Sequence, residues 1–390
     1  MSGIQDAATS QNPKSPYYSA EHLEFRHAVS RFVREEIEPH IDGWEEAGSF
    51  PTELYRKAAV AGILGLGFPA RYGGLEKDHF HRIIAAEEMS RAGAGGLTSA
   101  LMNHGVAMPP VVAAGSEALK ARVLPGVLAG EKICALAVTE PSGGSDVAGL
   151  RSTAVREGRC YVVNGAKSYI TSGTRADYFT VAVRTGGSGP GGLSLLLIER
   201  DAPGFQRRRL KTMGWACADI AVLEFSDCRV PLENLIGAEN QGFGLLMQNF
   251  ALERLFMIAS CNSLSRVCYE DALAYARQRQ VFGEPLIAKQ VIRHKLTDMA
   301  MAIRATQAYL EQLVWLADRG EQPTADICLL KNQASLTMER CAREALQIFG
   351  GAGYVRGTRV ERIYREVRVN AIGGGAEEVM RDFAAANLGY

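Results

Sequence analysis

Between Gly244 and Gly283 the chain carries neither glycine nor proline, and two more such stretches follow over 286–319 and 324–349. Apolar residues recur in them at three- and four-residue spacing, so each predicts one long helix and the three together predict a helical bundle. A shorter helix is predicted over about 377–387, behind Gly373-Gly374-Gly375. Upstream the pattern is different. Short runs of strand character at 133–138, 153–157, 160–163, 178–183, 193–199 and 220–225 are separated by glycine-bearing turns such as Asn164-Gly165. No long helix intervenes, which argues for an antiparallel sheet or barrel. Earlier still, Pro51, Gly73-Gly74, Pro109-Pro110 and Pro125 punctuate helical patterns over 52–61, 81–91, 97–107 and 116–123. The first helix starts at Ser19, a good N-cap, and stops at Pro39. The expected organisation is an α+β multidomain chain: a loose tail over 1–18, a helical domain over 19–132, a middle antiparallel β domain over 133–240 and a helical-bundle domain over 241–390.

Charge excludes some functions. Lys+Arg and Asp+Glu both number 43, so no overall field draws the protein to nucleic acid or a membrane surface. The short basic run Arg207-Arg208-Arg209 reads as a solvated strand end. The eight cysteines include no CxxC pair, a usage that suits a reducing cytoplasm. The seven histidines form no HExxH or Cys/His motif, and His79 with His81 reads as a surface feature of a helix start, so no metal is expected. The first 18 residues lack a signal-peptide core, and no window of eighteen apolar residues predicts a membrane span.

Two glycine-rich loops compete as cofactor sites. Residues 187–192 match GxGxxG literally, but a strand-like run follows where a dinucleotide fingerprint must open a helix, so this is a hairpin loop. The loop over 137–149 is different. Gly143 and Gly144 let the backbone approach closely, while Thr139 and Ser145 offer hydroxyl donors to a flavin ring or a pyrophosphate.

Four blocks together resemble the acyl-CoA dehydrogenase family over nearly the whole chain after the tail. They are Val138-Thr139-Glu140-Pro141 through Gly144-Ser145-Asp146; Asn164-Gly165-Ala166-Lys167-Ser168-Tyr169-Ile170-Thr171; Arg279-Gln280-Val281-Phe282-Gly283 with Gln290; and Gln347-Ile348-Phe349-Gly350-Gly351-Ala352-Gly353-Tyr354, continuing to Arg362 and Tyr364-Arg365-Glu366. The resemblance implies a helical N-terminal domain, a middle β domain and a C-terminal four-helix bundle, assembled as a homotetramer with one FAD per subunit. It implies own-subunit flavin contacts at Val138, Thr139, Gly144, Ser145, Tyr169, Ile170 and Thr171. From the neighbour it implies Arg279, Phe282, Gln290, Gln347, Gly350 and Gly351, with Glu378 also at the cofactor. Tyr169 stands where many members have Trp, and Val281 and Ala376 replace threonines that often contact the cofactor.

Taking an α-proton from a thioester needs a carboxylate raised by desolvation and donors for the developing oxyanion. Many family members place that Glu in the loop after the fourth block, where this chain has Gly374. Glu377 and Glu378 read better as acids favoured at a helix start. Glu253, in Phe250-Ala251-Leu252-Glu253-Arg254-Leu255, matches the placement in isovaleryl-CoA and long-chain acyl-CoA dehydrogenases. The resemblance then implies Glu253 as base and the Gly374 amide as oxyanion donor, with Ser145, Phe250, Arg254 and Gly373 at the substrate. It also implies an electron-transfer flavoprotein as acceptor, reached near Tyr169. Glycines at 373–375 suggest open space beside the α and β carbons and hence a branched or bulky acyl chain. The alternatives are a flavin monooxygenase or oxidase on the same fold, and a catalytically silent flavin or acyl-CoA scaffold.

Overall fold

Ser19 opens the first helix with its hydroxyl accepting from the His22 amide, and His22 Nδ1 accepts in turn from the Ser19 amide at 2.9 Å, a capping box with histidine in the acidic place. The computed structural model describes residues 15–390. Helix α1 (Ala20–Glu36) is followed by α2 (Ile41–Ala47), α3 (Glu53–Val60), α4 (His79–Ser90), α5 (Gly95–Leu101), α6 (His104–Ala107), α7 (Pro109–Ala114) and α8 (Glu117–Leu128). Prolines mislead here. Pro109 starts α7, where a missing N–H costs nothing, and Pro125 lies inside α8. The helix expected over 97–107 breaks near Asn103, whose amide Nδ2 donates to the carbonyls of Cys134 and Thr171, both at 3.1 Å. The tail reading is corrected for its last residues: the rings of Tyr17 and Tyr18 pack on Phe80, with centroids 6.0 and 5.4 Å away. Its first 14 residues lie outside the described ones.

The middle strands are β1 (Cys134–Ala137), β2 (Thr153–Glu157), β3 (Cys160–Ile170), β4 (Tyr178–Arg184), β5 (Leu193–Glu199), β6 (Phe205–Arg209), β7 (Ala221–Pro231) and β8 (Leu235–Ile236). They form one sheet in the order β6-β7-β3-β2-β4-β5-β8, with β1 on β4. Most pairs are antiparallel, but β1 pairs β4 in parallel and β2 meets β4 in parallel at Thr153, so the sheet is mixed. Asn164-Gly165 is no turn. It lies within β3 at a bulge, where a Cβ on Gly165 would come 2.4 Å from Ser152 Oγ. Asn-Gly signals a tight turn and a bulge alike, and only the paired strands distinguish them. Arg207, Arg208 and Arg209 belong to β6, a strand that the sequence pattern passes over.

Helix α9 (Gly242–Gln278) leads through the short strands β9 (Gln280–Val281) and β10 (Glu284–Pro285) into α10 (Gln290–Ala317), α11 (Thr324–Phe349), α12 (Gly351–Tyr354), α13 (Arg359–Ile372) and α14 (Glu377–Leu388). The three long helices stand where glycine and proline are missing. Helix α13 was not foreseen: Val360, Ile363 and Val367 are buried on it at helical spacing, but the charged Glu361, Arg362 and Glu366 buried beside them leave it few apolar residues. The bundle core, with Leu255, Leu296, Leu330 and Ile363, also takes in Phe80, Ile83 and Ala86 of α4, which joins the first helical region to the last.

Candidate active site

Helix α9 carries Phe250, Glu253, Arg254 and Met257 within two turns. The Glu253 carboxylate makes no hydrogen bond among the described residues, and burial pushes it up to about 7 against the opposing pull of Arg254 and Lys331. Arg254 does not pair with it. Its Nε donates instead to the Gly374 carbonyl at 3.0 Å.

The Gly374 loop is thereby held from two helices. Gly373 closes α13 by donating to the Val369 carbonyl at 2.7 Å. Gly374 and Gly375 then take φ of +64° and +106°, conformations that favour glycine. Lys331 of α11, almost fully buried, donates Nζ to the Gly375 carbonyl at 2.6 Å, and Asn332 Nδ2 donates to the Glu377 carbonyl at 2.9 Å. The Gly374 N–H has no acceptor among the described residues and is free for a ligand. The space beside the loop, in contrast, is filled. A Cβ at 374 would meet Met257 Sδ at 2.3 Å, and one at 375 would meet Met380 Cε at 2.4 Å. The glycines leave no void, so the open space expected from them is occupied by a flexible thioether. Glu377 is engaged with Arg368 and Arg381, and Glu378 is exposed on the first turn of α14.

The loop after β1 is anchored differently. Val138 is buried, and the Thr139 carbonyl accepts from the Ser168 amide at 2.8 Å, which ties it to the end of β3. There Tyr169, 68% exposed at φ +62°, precedes buried Ile170 and half-buried Thr171. Beneath lies a buried ion pair, Glu140 with Lys167 at 2.8 Å. Lys167 also donates to the Val138 carbonyl at 3.0 Å, and Glu140 accepts the Arg151 and Ser152 amides at 2.8 and 2.9 Å. Burial works to raise the Glu140 carboxyl, but Lys167 and these donors overcome it and hold it at about 2. The amides of Gly144, Ser145 and Asp146 and the hydroxyls of Thr139 and Ser145 have no partner among the described residues. Unspent donors on an anchored loop suit the phosphates and ring of a flavin.

The other predicted cofactor residues lie elsewhere. Arg279 follows α9, Gln290 starts α10, and Gln347, Gly350 and Gly351 stand at the end of α11, joined by the stacked rings of Tyr275 and Phe349 at 4.4 Å. Phe282 is 97% exposed. Arg279 is 26 residues beyond Glu253 on a continuous helix, about 39 Å. One chain does not bring the two groups together.

Family models describing the N-terminal, middle and C-terminal domains of acyl-CoA dehydrogenases match residues 19–131, 135–228 and 240–389. The chain belongs to the acyl-CoA dehydrogenase family. It is 37% identical to the acyl-CoA dehydrogenase AFT10-1 of Alternaria alternata, over 95% of this chain and 92% of that one. It is 34% identical to the mitochondrial long-chain specific acyl-CoA dehydrogenase of Sus scrofa, over 95% and 87%. The crystal structure of an acyl-CoA dehydrogenase from Geobacillus kaustophilus matches with a TM-score of 0.93 at 33% identity, covering 96% of this chain and all of that one. As an acyl-CoA dehydrogenase it is an oxidoreductase whose cofactor is FAD. No helix among the described residues is long and apolar enough to cross a membrane.

In this acyl-CoA dehydrogenase, sequence reasoning assigned no role to Glu140, Lys167, Lys331 or Met257. A lysine amid strand or helix apolar positions is the one signal that marks Lys167 and Lys331, and it does not say what they hold. The histidine reading also needs correction. His81 is buried rather than on the surface, and with His22 and Asp78 it brings three ligand atoms within 4.8 Å. Hydrogen bonding uses up both ring nitrogens of His22, whereas His81 Nε2 has no hydrogen-bond partner among the described residues. The Ser19 amide donates to His22 Nδ1, so the ring proton sits on Nε2 and points at Asp78 Oδ2, 2.9 Å away, leaving no lone pair for a cation. A cavity of about 760 Å³ adjoins this cluster between Tyr17, Phe68 and Trp315 and includes neither Glu253 nor either loop.

Proposed function

We propose that this acyl-CoA dehydrogenase converts an acyl-CoA thioester of branched or medium to long chain to the trans-2-enoyl-CoA, with Glu253 as the base. The observation that carries this is an unpaired carboxyl pushed to about 7, adjacent to the arginine that holds a loop with a free amide. The thioester oxygen accepts from the Gly374 N–H, which stabilises the charge that develops as the α-carbon is deprotonated. Glu253, ionised above about 7, takes the α-proton onto its carboxylate. FAD, when bound, would supply the electron sink for the β-hydrogen and its electron pair. Val138, Thr139, Gly144, Ser145, Tyr169, Ile170 and Thr171 hold the flavin, and Phe250, Arg254, Gly373 and Met257 border the acyl group. Methionine adapts its shape, which suits chains of more than one outline.

Arg279, Phe282, Gln290, Gln347, Gly350 and Gly351 serve the flavin of a neighbouring copy in a homotetramer, a role supported by their exposure and distance from Glu253. Electrons leave to an electron-transfer flavoprotein past exposed Tyr169. Seven of the eight cysteines are buried and all are free, which suits the cytoplasm. The test is anaerobic titration of the flavin-loaded enzyme with a panel of straight and branched acyl-CoAs. Bleaching of the flavin with formation of the enoyl product is expected. Retained colour with every thioester would support a scaffold, and hydroxylated product on admitting oxygen would support a monooxygenase.

A further inference from the structure

Arg82, on the first turn of α4, makes no hydrogen bond and no ion pair among the described residues. Its guanidinium lies over the Phe256 ring at 4.2 Å. The stem runs past Gly67, where a Cβ would come 3.1 Å from Arg82 Cδ, and Nη2 approaches Gly105, 3.9 Å from a Cβ placed there. The residue is half-buried, yet packed deeply enough that desolvation alone brings it down to about 10. The titratable group that feels its charge gives no counter-charge. His104, beside Phe68, is lowered to about 4 by burial and then by Arg82, and is neutral at neutral pH.

Among the described residues, the other buried lysines and arginines each have a hydrogen-bond or ion-pair partner. Arg26 pairs with Glu87 and Glu88, Lys167 with Glu140, Arg362 with Asp42 and two carbonyls, and Lys331 and Arg254 with carbonyls of the glycine loop. An unpaired desolvated charge persists where something outside the chain completes it.

The position of Arg82 says what that is. Asn249 of α9 donates to the Val106 carbonyl of α6 at 2.7 Å, and Ser263, fourteen residues on, donates to the Glu87 carbonyl of α4 at 2.6 Å. Phe256 lies midway on that same face. Glu253, three residues earlier, projects about 60° away from Phe256, on the side of Met257 and Gly374. The cations that act on Glu253 are Arg254 and Lys331, not Arg82. A chain with its carbonyl at Gly374 and its α-carbon at Glu253 can therefore run on towards α6 and α4, to a guanidinium stacked on Phe256.

We propose that Arg82 is a specificity-determining residue that takes a carboxylate at the far end of the acyl chain, making carboxyacyl-CoA thioesters the preferred substrates. A planar guanidinium matches a carboxylate with two parallel hydrogen bonds, and the Phe256 ring shields one face of the pair. This rests on the dehydrogenase reading above, and the test separates the two.

Wild type, Arg82→Met and Arg82→Lys, all loaded with FAD, are assayed with mono-CoA thioesters of dicarboxylic acids of about four to ten carbons and with the matching unsubstituted acyl-CoAs. Binding of the same thioesters is measured by calorimetry in a Glu253→Gln background. Wild type should prefer one carboxyacyl length over its unsubstituted counterpart. Arg82→Met should lose about 10- to 100-fold in kcat/KM and affinity on that thioester and change less than about threefold on unsubstituted chains, with Arg82→Lys between. Equal loss on both series, or no preferred carboxyacyl length in wild type, overturns the proposal. So does a lowered melting temperature with an unchanged ratio, which marks a structural role. If no thioester bleaches the flavin while carboxyacyl binding still depends on Arg82, the dehydrogenase reading fails and the subsite stands.

Discussion

The loop after β1 and the glycine loop after α13 are both required by the proposed chemistry, and they are held in opposite ways. The first is fastened by a buried ion pair, Glu140 with Lys167, in which each charge cancels the other and the spare hydrogen-bonding capacity goes to backbone groups. The second is fastened by cations on carbonyls, Arg254 on Gly374 and Lys331 on Gly375, and neither cation forms an ion pair among the described residues. A neutralised anchor leaves its loop free to accept a cofactor without adding local charge. An unneutralised one leaves a positive field that opposes, without cancelling, the burial of Glu253. The first arrangement favours holding and the second favours chemistry.

Glu253→Gln should expose that division most sharply. A fall in turnover of about 10²- to 10⁴-fold is expected, with flavin content by absorbance unchanged, whereas turnover near wild type would remove Glu253 from the base role. Lys167→Met strikes the other loop. Leaving Glu140 buried without its cation should cost about 3–5 kcal/mol in denaturant unfolding and release FAD, and adding Glu140→Gln should recover much of it. If the double variant is no better than the single, the pair is not what anchors the loop.

Gly374→Ala should have a smaller effect, combining about 1–2 kcal/mol for a left-handed alanine with the clash against Met257 Sδ at 2.3 Å. Adding Met257→Ala should relieve the clash but not the backbone strain, so recovery of stability should be partial and turnover should stay low. The gentlest probe is pH. The Glu253 carboxyl must be ionised to act, so kcat/KM should rise as pH passes upward through about 7. Glu140 is shifted the other way, its folded value being depressed, so its effect appears at much lower pH and in stability. Its stabilisation is complete above the ordinary value of 4.5 and is lost as pH falls towards about 2. Acid melting curves of wild type and the Lys167→Met, Glu140→Gln double variant should converge over that range.

Much of the fold could be read from the chain. The three long helices stand out because glycine and proline would break them, and the strands at 153–157 and 193–199 coincide with β2 and β5. Helix α13 escaped because ion pairs and carbonyls bury its charges, and the Asn164-Gly165 bulge escaped because a glycine needed for close approach looks like a glycine needed for a turn. At the site, the sequence proposes Glu253 with Gly374 as a pair, since a base missing from one place prompts a search for another, and the Glu253→Gln test decides it. The fillers and anchors could not. Met257 lies 117 positions from the glycine it crowds, and Lys167 lies 27 from its partner.

By itself, then, the sequence determined the order helical, β, helical, the family, and a carboxylate placed on α9 rather than in the loop, because periodicity, turn residues and motifs are local. Only the tertiary structure decided that the loop glycines leave no void, that Lys167 and Lys331 serve as anchors, and that Arg82 has no hydrogen-bond or ion-pair partner among the described residues. Burial and pairing depend on which distant segments meet, and a side chain's charge acquires meaning only once its surroundings exclude water.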